Sequence, residues 1–536
     1  MSSKTIKIDR GEIAELLERV KIRALTEGDY DLIEDLAELV LCLNDLLADK
    51  NASIERLRKM LFGASTETTR AVLGEDEEKP EEPPGDETAS EEGETKKRKN
   101  HGRKSASDYP GANRVQVKLE DLKPGCNCPN CDKGKVYKID PENVPQFSAR
   151  AIIDVTIYEI EKVRCNLCGE IFKARCNLCG ETVGSMIGVL RYGGGMPFYR
   201  LEKLQESFGM PLPASNQWEI VKGVADRIAP AFSELERQAA AGQVIHNDDT
   251  KAIILALEKE RKEEGEPKSP SESDRTGTFT SGIVSRTEVH DIALYYTGWR
   301  HAGENLSQVL KNRPLELGPP IQMCDALSRN LPKEFAVILS KCNAHSRRRF
   351  VDVASNFPVE CRFVLETLRD VYHNDAIAKE KNLSPEARLQ FHREFSGPLM
   401  AKLKTWLEEQ LEGKKVEPNC GLGKAISYML KHWEGLTQFL KVANAPLDNN
   451  LCERILKKAI LHRRNSLFYK TELGAWVGDL FMSLIQTCIL SGANPFDYLT
   501  ALQRHADKLY ADPGRWMPWN YRESLAKLGI LQNDSS

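Results

Sequence analysis

Apolar residues near the start of the chain recur with heptad spacing. Leu32, Leu36, Leu39, Leu43 and Leu46, then Leu57 and Met60, share a stripe that Lys50 and Ser53 interrupt. Such a stripe predicts a coiled coil of modest strength over 31–62, and a heptad seam needs a partner helix to cover it, so the segment reads as a self-association element. The pattern changes after position 242. Val244-Ile245-His246-Asn247-Asp248-Asp249-Thr250-Lys251-Ala252-Ile253-Ile254-Leu255 sets two adjacent carboxylates between runs of β-formers. Side chains alternate in face along a strand, so Asp248 and Asp249 point opposite ways. Taken alone, Asp-Asp-Thr is an ordinary polar turn joining two hairpin strands. Thr278 to Tyr296 alternates like paired strands, His301 to Arg313 reads as a helix, and Pro319 to Asp325 as a short apolar strand ending in an acid. Helical patterns cover 359–382 and 384–412, with Trp433 and Phe439 as apolar anchors. A late helix starts near Asp448-Asn449-Asn450, capped by Asp448 or an Asn, and carries Glu453.

A hairpin, a helix and then a strand whose carboxyl end bears an acid is the order of a ribonuclease-H-like fold. In such a mixed sheet, adjacent central strands bring their carboxylates together and a third acid arrives on a late helix. The 127 residues between Asp325 and Glu453 exceed a compact sheet connection. The expected fold is therefore an α/β ribonuclease-H-like catalytic core with an all-helical insertion, preceded by a helical coiled-coil region and a small zinc-ribbon-like module.

Composition adds three constraints. At 536 residues the chain should hold several domains, since single cores stop growing at roughly 250 to 300 residues. No apolar run near 18 residues stands out and the N-terminus lacks the apolar core of a signal peptide, so an intracellular protein without a membrane span is expected. The net charge is −4, but residues 75–95 alone carry eleven acids and one lysine, which leaves the remainder six charges positive. The basic run Lys96-Lys97-Arg98-Lys99-Asn100-His101-Gly102-Arg103-Lys104 follows, suited to phosphates. Seven of the fourteen cysteines fall between 126 and 179. Cys126-Asn-Cys128-Pro-Asn-Cys131 and Cys165-Asn-Leu-Cys168 supply paired knuckles that can hold a tetrahedral zinc ion. The sequence Arg-Cys-Asn-Leu-Cys-Gly-Glu recurs at 175–181, so Cys128, Cys131, Cys165 and Cys168 are the favoured ligands, with Cys176 and Cys179 a spare pair.

A series of motifs carries a family resemblance: His-Asn-Asp-Asp-Thr at 246–250, Gln-Met-Cys-Asp-Ala-Leu-Ser-Arg-Asn at 322–330, Cys-Asn-Ala-His-Ser-Arg-Arg-Arg-Phe at 342–350, Ala-Pro-Leu-Asp-Asn-Asn-Leu-Cys-Glu-Arg at 445–454 and Asn-Pro-Phe-Asp-Tyr-Leu at 494–499. In this order they resemble the transposases of the insertion sequence 66 family, over about residues 97 to 505. The resemblance implies a DNA transposase with Asp248, Asp325 and Glu453 as catalytic residues and magnesium ligands. Asp249 stands as the neighbour in the family's first motif. Three carboxylates suit two Mg2+ ions, for which Mn2+ can substitute, because hard cations prefer oxygen donors. Arg347, Arg348 and Arg349, with Arg454, Lys457, Lys458, Arg463 and Arg464 around the Glu453 helix, are expected to contact DNA phosphates.

The expected partners are the element's terminal inverted repeats, target DNA, further copies of the chain and small accessory proteins of the same element. The expected location is the cytoplasm of a prokaryote, at the nucleoid. The organisation expected is a helical oligomerisation region (1–73), an acidic then basic linker (74–108), the zinc-ribbon-like module (109–190), a helical connector (191–241), a catalytic core split into 242–358 and 445–505 around the helical insertion (359–444), and a tail (506–536). Two other classes share some of these features: a ribonuclease-H-like nuclease that cuts without joining, and a zinc-ribbon DNA-binding protein whose acids are structural.

Overall fold

The computed structural model describes residues 180–263 and 277–529, with backbone stretches at 152–154, 162–164 and 171–173. The heptad segment, the acidic and basic linker, and Cys126, Cys128, Cys131, Cys165, Cys168, Cys176 and Cys179 lie outside the described residues. Lys162–Arg164 (β1) and Ile171–Lys173 (β2), which flank Cys165 and Cys168 in sequence, pair antiparallel.

Five strands form the central sheet. Val244–Ala252 (β3), Thr278–Arg286 (β4) and Asp291–Gly298 (β5) are antiparallel neighbours, whereas Ile321–Cys324 (β6) runs parallel to β3 and Ile338–Lys341 (β7) parallel to β6. The spatial order is β5-β4-β3-β6-β7. This mixed α/β core, one sheet with many helices around it, is compatible with a ribonuclease-H-like transposase fold. Asp248 and Asp249 lie within the continuous strand β3, so the turn reading of Asp-Asp-Thr does not hold.

The main core lies on the faces of β3, β4 and β5. Helix α1 (Ala214–Ala239) contributes a stripe of Val221, Ala225, Ile228, Phe232, Leu235 and Ala239, spaced three and four residues apart as one buried helical face requires. After β5 comes α2 (Ala302–Leu310), and after β7 come α3 (Asn343–Val353), α4 (Pro358–Glu380), α5 (Pro385–Phe395), α6 (Gly397–Glu412) and α7 (Gly421–Lys431). The pattern read as one helix over 384–412 is two. Pro398, within the first turn of α6, supplies no backbone N–H, and the chain turns at Ser396. Ser384 caps α5 by accepting from the Ala387 N–H, with Pro385 at the first helical position.

Helices α3 to α7 enclose a second core that includes Phe350, Leu365, Leu368, Leu403, Leu407 and Ile426, joined by Val244 and Ile321 from the starts of β3 and β6. Its buried carboxylate, Asp375, meets Arg388 at 2.7 Å, Lys379 at 2.7 Å and His392 at 3.2 Å. Burial alone would raise its pKa, but these partners outweigh it and hold the carboxyl well below its ordinary range.

Helices α8 (Asn450–Ser466) and α9 (Glu472–Leu490) complete the core. Strand β5 is at the sheet's edge, where N–H groups would otherwise face no partner. Helix α9 satisfies them with residues four apart: Thr487 Oγ1 accepts from the Ala293 N–H at 3.1 Å, Ser483 Oγ from Tyr295 at 2.9 Å and Asp479 Oδ2 from Thr297 at 2.6 Å. The expectation that no apolar segment is long enough to cross a membrane is corrected by this helix. By length and composition α9 qualifies, yet most of it is buried inside the protein. Its apolar residues fill the core beneath the sheet and its polar stripe closes the sheet edge, so its composition is that of a core helix.

Burial pushes the Asp479 carboxyl up to about 7, against the two hydrogen bonds from Thr297. A folded pKa raised above the unfolded value means that the stabilisation is complete below about pH 4 and lost as pH rises through about 7. Asp479→Asn keeps an acceptor and removes the ionisation. Between pH 4 and pH 8 the wild-type protein should therefore lose on the order of a few kcal/mol relative to this variant, read from denaturant midpoints. Parallel pH profiles would show that Asp479 ionises without cost.

Candidate active site

Strands β3 and β6 run parallel with His246 beside Met323, so Asp248 and Asp325 each lie two residues beyond this pair. The side-chain amide of Asn330 joins them: Nδ2 donates to Asp325 Oδ1 at 2.7 Å and to Asp248 Oδ1 at 3.2 Å. Asn330 is held from behind, since its carbonyl accepts from Asn247 Nδ2 at 2.8 Å and Gln322 Nε2 at 2.6 Å. Burial and the charge of Asp325 push Asp248 up to about 7, against hydrogen bonds from the Asp249 N–H and Asn330. Two carboxylates held this close, with donors between them, lose repulsion when a cation enters.

Asp249 faces the other way, as strand alternation requires. Its side chain is fully buried, paired with His301 Nδ1 at 2.9 Å and Arg329 at 3.0 Å. Arg329 and Asn330 are adjacent, so the loop after β6 is tied to β3 through both neighbouring aspartates.

Glu453 lies in the first turn of α8. The preceding Asn449 does not cap that helix with its side chain. Instead, Asn449 Oδ1 meets His246 Nδ1 at 3.1 Å and its Nδ2 donates to the Asn247 carbonyl at 3.1 Å. One turn on, the Cys452 thiol donates to the Gly282 carbonyl at 3.3 Å, and Gly282 stands opposite Asp248 in the β3–β4 register. These contacts seat the helix on the strand that carries Asp248. The Glu453 carboxylate faces His345 Nδ1 at 3.7 Å. Among the described residues no hydrogen bond or ion pair joins it to Asp248 or Asp325. The structure thus brings the two aspartates together and sets Glu453 on a helix docked beside them.

The basic residues divide by role. Arg454, Lys457 and Arg464 are exposed on α8 at helical spacing, and Lys458 is half-buried. Arg463 is committed to the fold, donating to Thr250 Oγ1 at 3.2 Å and to the Lys251 carbonyl. Arg347, Arg348 and Arg349 lie on α3, where the Arg349 guanidinium sits 3.8 Å from the Tyr428 ring centroid.

Several residues of this site had no role readable from the sequence, although Asn330 and Asn449 fall within the family motifs. Asn330 sits in a loop where Asn is ordinary turn chemistry, and Asn449 resembled a helix cap. Gly282 is an unremarked strand glycine, yet a Cβ there would stand 2.9 Å from Leu456 on α8.

A mixed sheet with two linked aspartates at its parallel strands and many helices around it is compatible with the ribonuclease-H-like class of transposase folds. Residues 177–476 match the family model described as Transposase IS66 family, and the chain belongs to that family. Three proteins of Sinorhizobium fredii (strain NBRC 101917 / NGR234) are similar to it. Uncharacterized protein y4hP is 25% identical over 517 residues, 89% of each chain. Uncharacterized protein y4jD is 28% identical over 262 residues, 48% of this chain and 44% of its own. Uncharacterized protein y4qI is 29% identical over 187 residues, 34% of each. Family membership supports a transposase role, with the divalent metal use and DNA binding that the family implies.

Gly282→Ala should push α8 off the sheet, because the new methyl meets Leu456 and Ile455. The expected loss is about 1–3 kcal/mol, measured by denaturant unfolding. An unchanged midpoint would show that α8 is not held by this close approach.

Proposed function

We propose that the chain is a DNA transposase that cuts and joins DNA at the ends of an insertion sequence, with Asp248, Asp325 and Glu453 as its catalytic carboxylates. The observation that carries this reading is the Asp248–Asn330–Asp325 bridge on adjacent parallel strands, in a chain of the IS66 transposase family. The donor set is all oxygen, the two aspartates repel one another, and Glu453 lies on a helix docked to the same strand, which fits Mg2+ or Mn2+. Bound there, such ions supply charge stabilisation to the attacking and leaving oxygens of an in-line phosphodiester displacement.

The chain's own residues divide the remaining work. Asp248 and Asp325 hold the cation site, with Asn330 fixing their spacing, and Asp249 anchors the Arg329–Asn330 loop from the far side of β3. Glu453 completes the carboxylate set by turning from His345 toward the aspartates. Arg454, Lys457 and Arg464 take the phosphate backbone along α8. Zinc bound by Cys128, Cys131, Cys165 and Cys168 belongs to this reading as a structural element of an N-terminal module, and the heptad segment as the means of assembly into oligomers.

The test combines purified protein, Mg2+, a labelled element-end duplex and a target plasmid. Asp248→Asn, Asp325→Asn and Glu453→Gln should each abolish cleavage while leaving folding and end binding in place, a loss of several kcal/mol of transition-state stabilisation. Cleavage without joining by the wild-type protein would favour a nuclease. Full activity in Asp325→Asn would remove the carboxylate assignment altogether.

Salt dependence tests the phosphate contacts. Replacing Arg454, Lys457 and Arg464 with alanine should weaken binding to all DNA sequences and flatten the salt slope by roughly one unit per lost contact. Anisotropy titrations over a range of potassium chloride measure this, and an unchanged slope would place the DNA on another face.

A further inference from the structure

Beyond the aspartate pair lies a second group of metal-ligating side chains, of different chemistry. Cys342 closes β7, His345 is one turn along α3, and Glu453 is in the first turn of α8. One ligand atom from each, sulfur, nitrogen and oxygen, falls within 4.8 Å of the other two. We infer that Cys342, His345 and Glu453 form a binding site for a borderline divalent cation of the zinc class.

Three observations support the site. His345 Nδ1 is a buried nitrogen without a hydrogen-bond partner, and at 3.7 Å from Glu453 Oε1 it is too far to bond that oxygen directly. A cation between them would satisfy both. Burial pushes the Cys342 thiol up to about 12, against N–H groups from Asn449, at 3.3 Å, and from His345 that point at its sulfur, so the proton leaves only when a cation takes its place. The His345 and Glu453 side chains are about 30% exposed, which leaves a path for the ion and room for a water as fourth ligand.

The chemistry selects the ion. A thiolate, an imidazole and a carboxylate with one open position is a donor set for zinc, whereas magnesium avoids sulfur. Tetrahedral zinc with bonds of about 2.0 to 2.3 Å needs its donors to close in, which the half-exposed Glu453 side chain can do by a rotamer change. On binding, the Cys342 S–H bond breaks, its proton leaves to solvent, and the sulfur pair bonds the ion. The site shares Glu453 with the proposed catalytic set, so an ion here holds that carboxylate away from Asp248 and Asp325.

The test uses the full chain, stripped by chelation and titrated with Co2+ as the spectroscopic probe. Stoichiometry is read by equilibrium dialysis, and thiolate ligation by the near-ultraviolet sulfur-to-cobalt charge-transfer band. Cys342→Ser, which keeps an acceptor for the two N–H groups, should bind one cobalt fewer than wild type and lose the matching share of that band. His345→Gln and Glu453→Gln, both half-exposed, should weaken the same ion by at least roughly tenfold. Cys420→Ser, elsewhere in the fold, should bind as wild type does. Equal stoichiometry and band intensity in wild type and Cys342→Ser overturn the inference, as does unweakened binding in both His345→Gln and Glu453→Gln, which stand even if the cysteine variant does not fold. The inference does not depend on the catalytic assignment. Lost cobalt in Cys342→Ser alongside full DNA cleavage by Asp325→Asn would sink the carboxylate triad alone, and the reverse pattern would sink this site alone.

Discussion

The seating of the Glu453 helix on the central strand is the constraint on which the rest of this structure depends. Asn449 spends both ends of its amide on β3, one on His246 and one on the Asn247 carbonyl. A buried amide left unpaired would cost on the order of 1–3 kcal/mol, so the register between helix and strand is narrowly specified. Cys452 adds a third tie, and Gly282 permits the approach by having no side chain. Arg463 fixes the same helix near its far end to the last residues of β3. With both ends held, a residue in the first turn has little freedom of position, and that residue is Glu453.

Around this joint the protein solves two problems of exposed backbone and buried charge. The edge strand β5 is covered by α9, whose Asp479, Ser483 and Thr487 answer the strand's N–H groups one by one. An apolar helix lacking that stripe would bury those groups unpaired. In the helical region between the two halves of the sheet's surroundings, Asp375 gathers Arg388, His392 and Lys379, so that a charge is buried only together with its partners. The second core meets the sheet through Val244 and Ile321, at the starts of β3 and β6, while Asp248 lies midway along β3 and Asp325 directly follows β6. Packing at the start of these two strands thereby supports the geometry about four residues further along.

Much of this was legible in the residues themselves. Alternation predicted that Asp248 and Asp249 face opposite ways, and Asp249 is indeed buried against His301 and Arg329. The order of hairpin, helix, short strand and late helix led to a mixed sheet, because side-chain periodicity reports which face an element must bury. Boundaries were less legible where a single residue decides them, as at Ser396 and Pro398. The apolar content of α9 escaped notice because Asp479, Ser483 and Thr487 break the run on one face alone, and a linear reading does not separate faces.

The sequence by itself determined the types of most elements and the family to which the chain belongs, since these depend on local periodicity and on motifs in a fixed order. Only the tertiary structure decided which side chains meet. Asn330 could bridge two aspartates only after β3 and β6 were aligned in parallel, and Asn449 could reach β3 only after α8 had docked. Glu453 meets Cys342 and His345 from more than a hundred residues further along the chain. Such contacts are long-range by nature: they depend on how separate elements pack, and the local preferences that shape each element hold no information about its eventual neighbour.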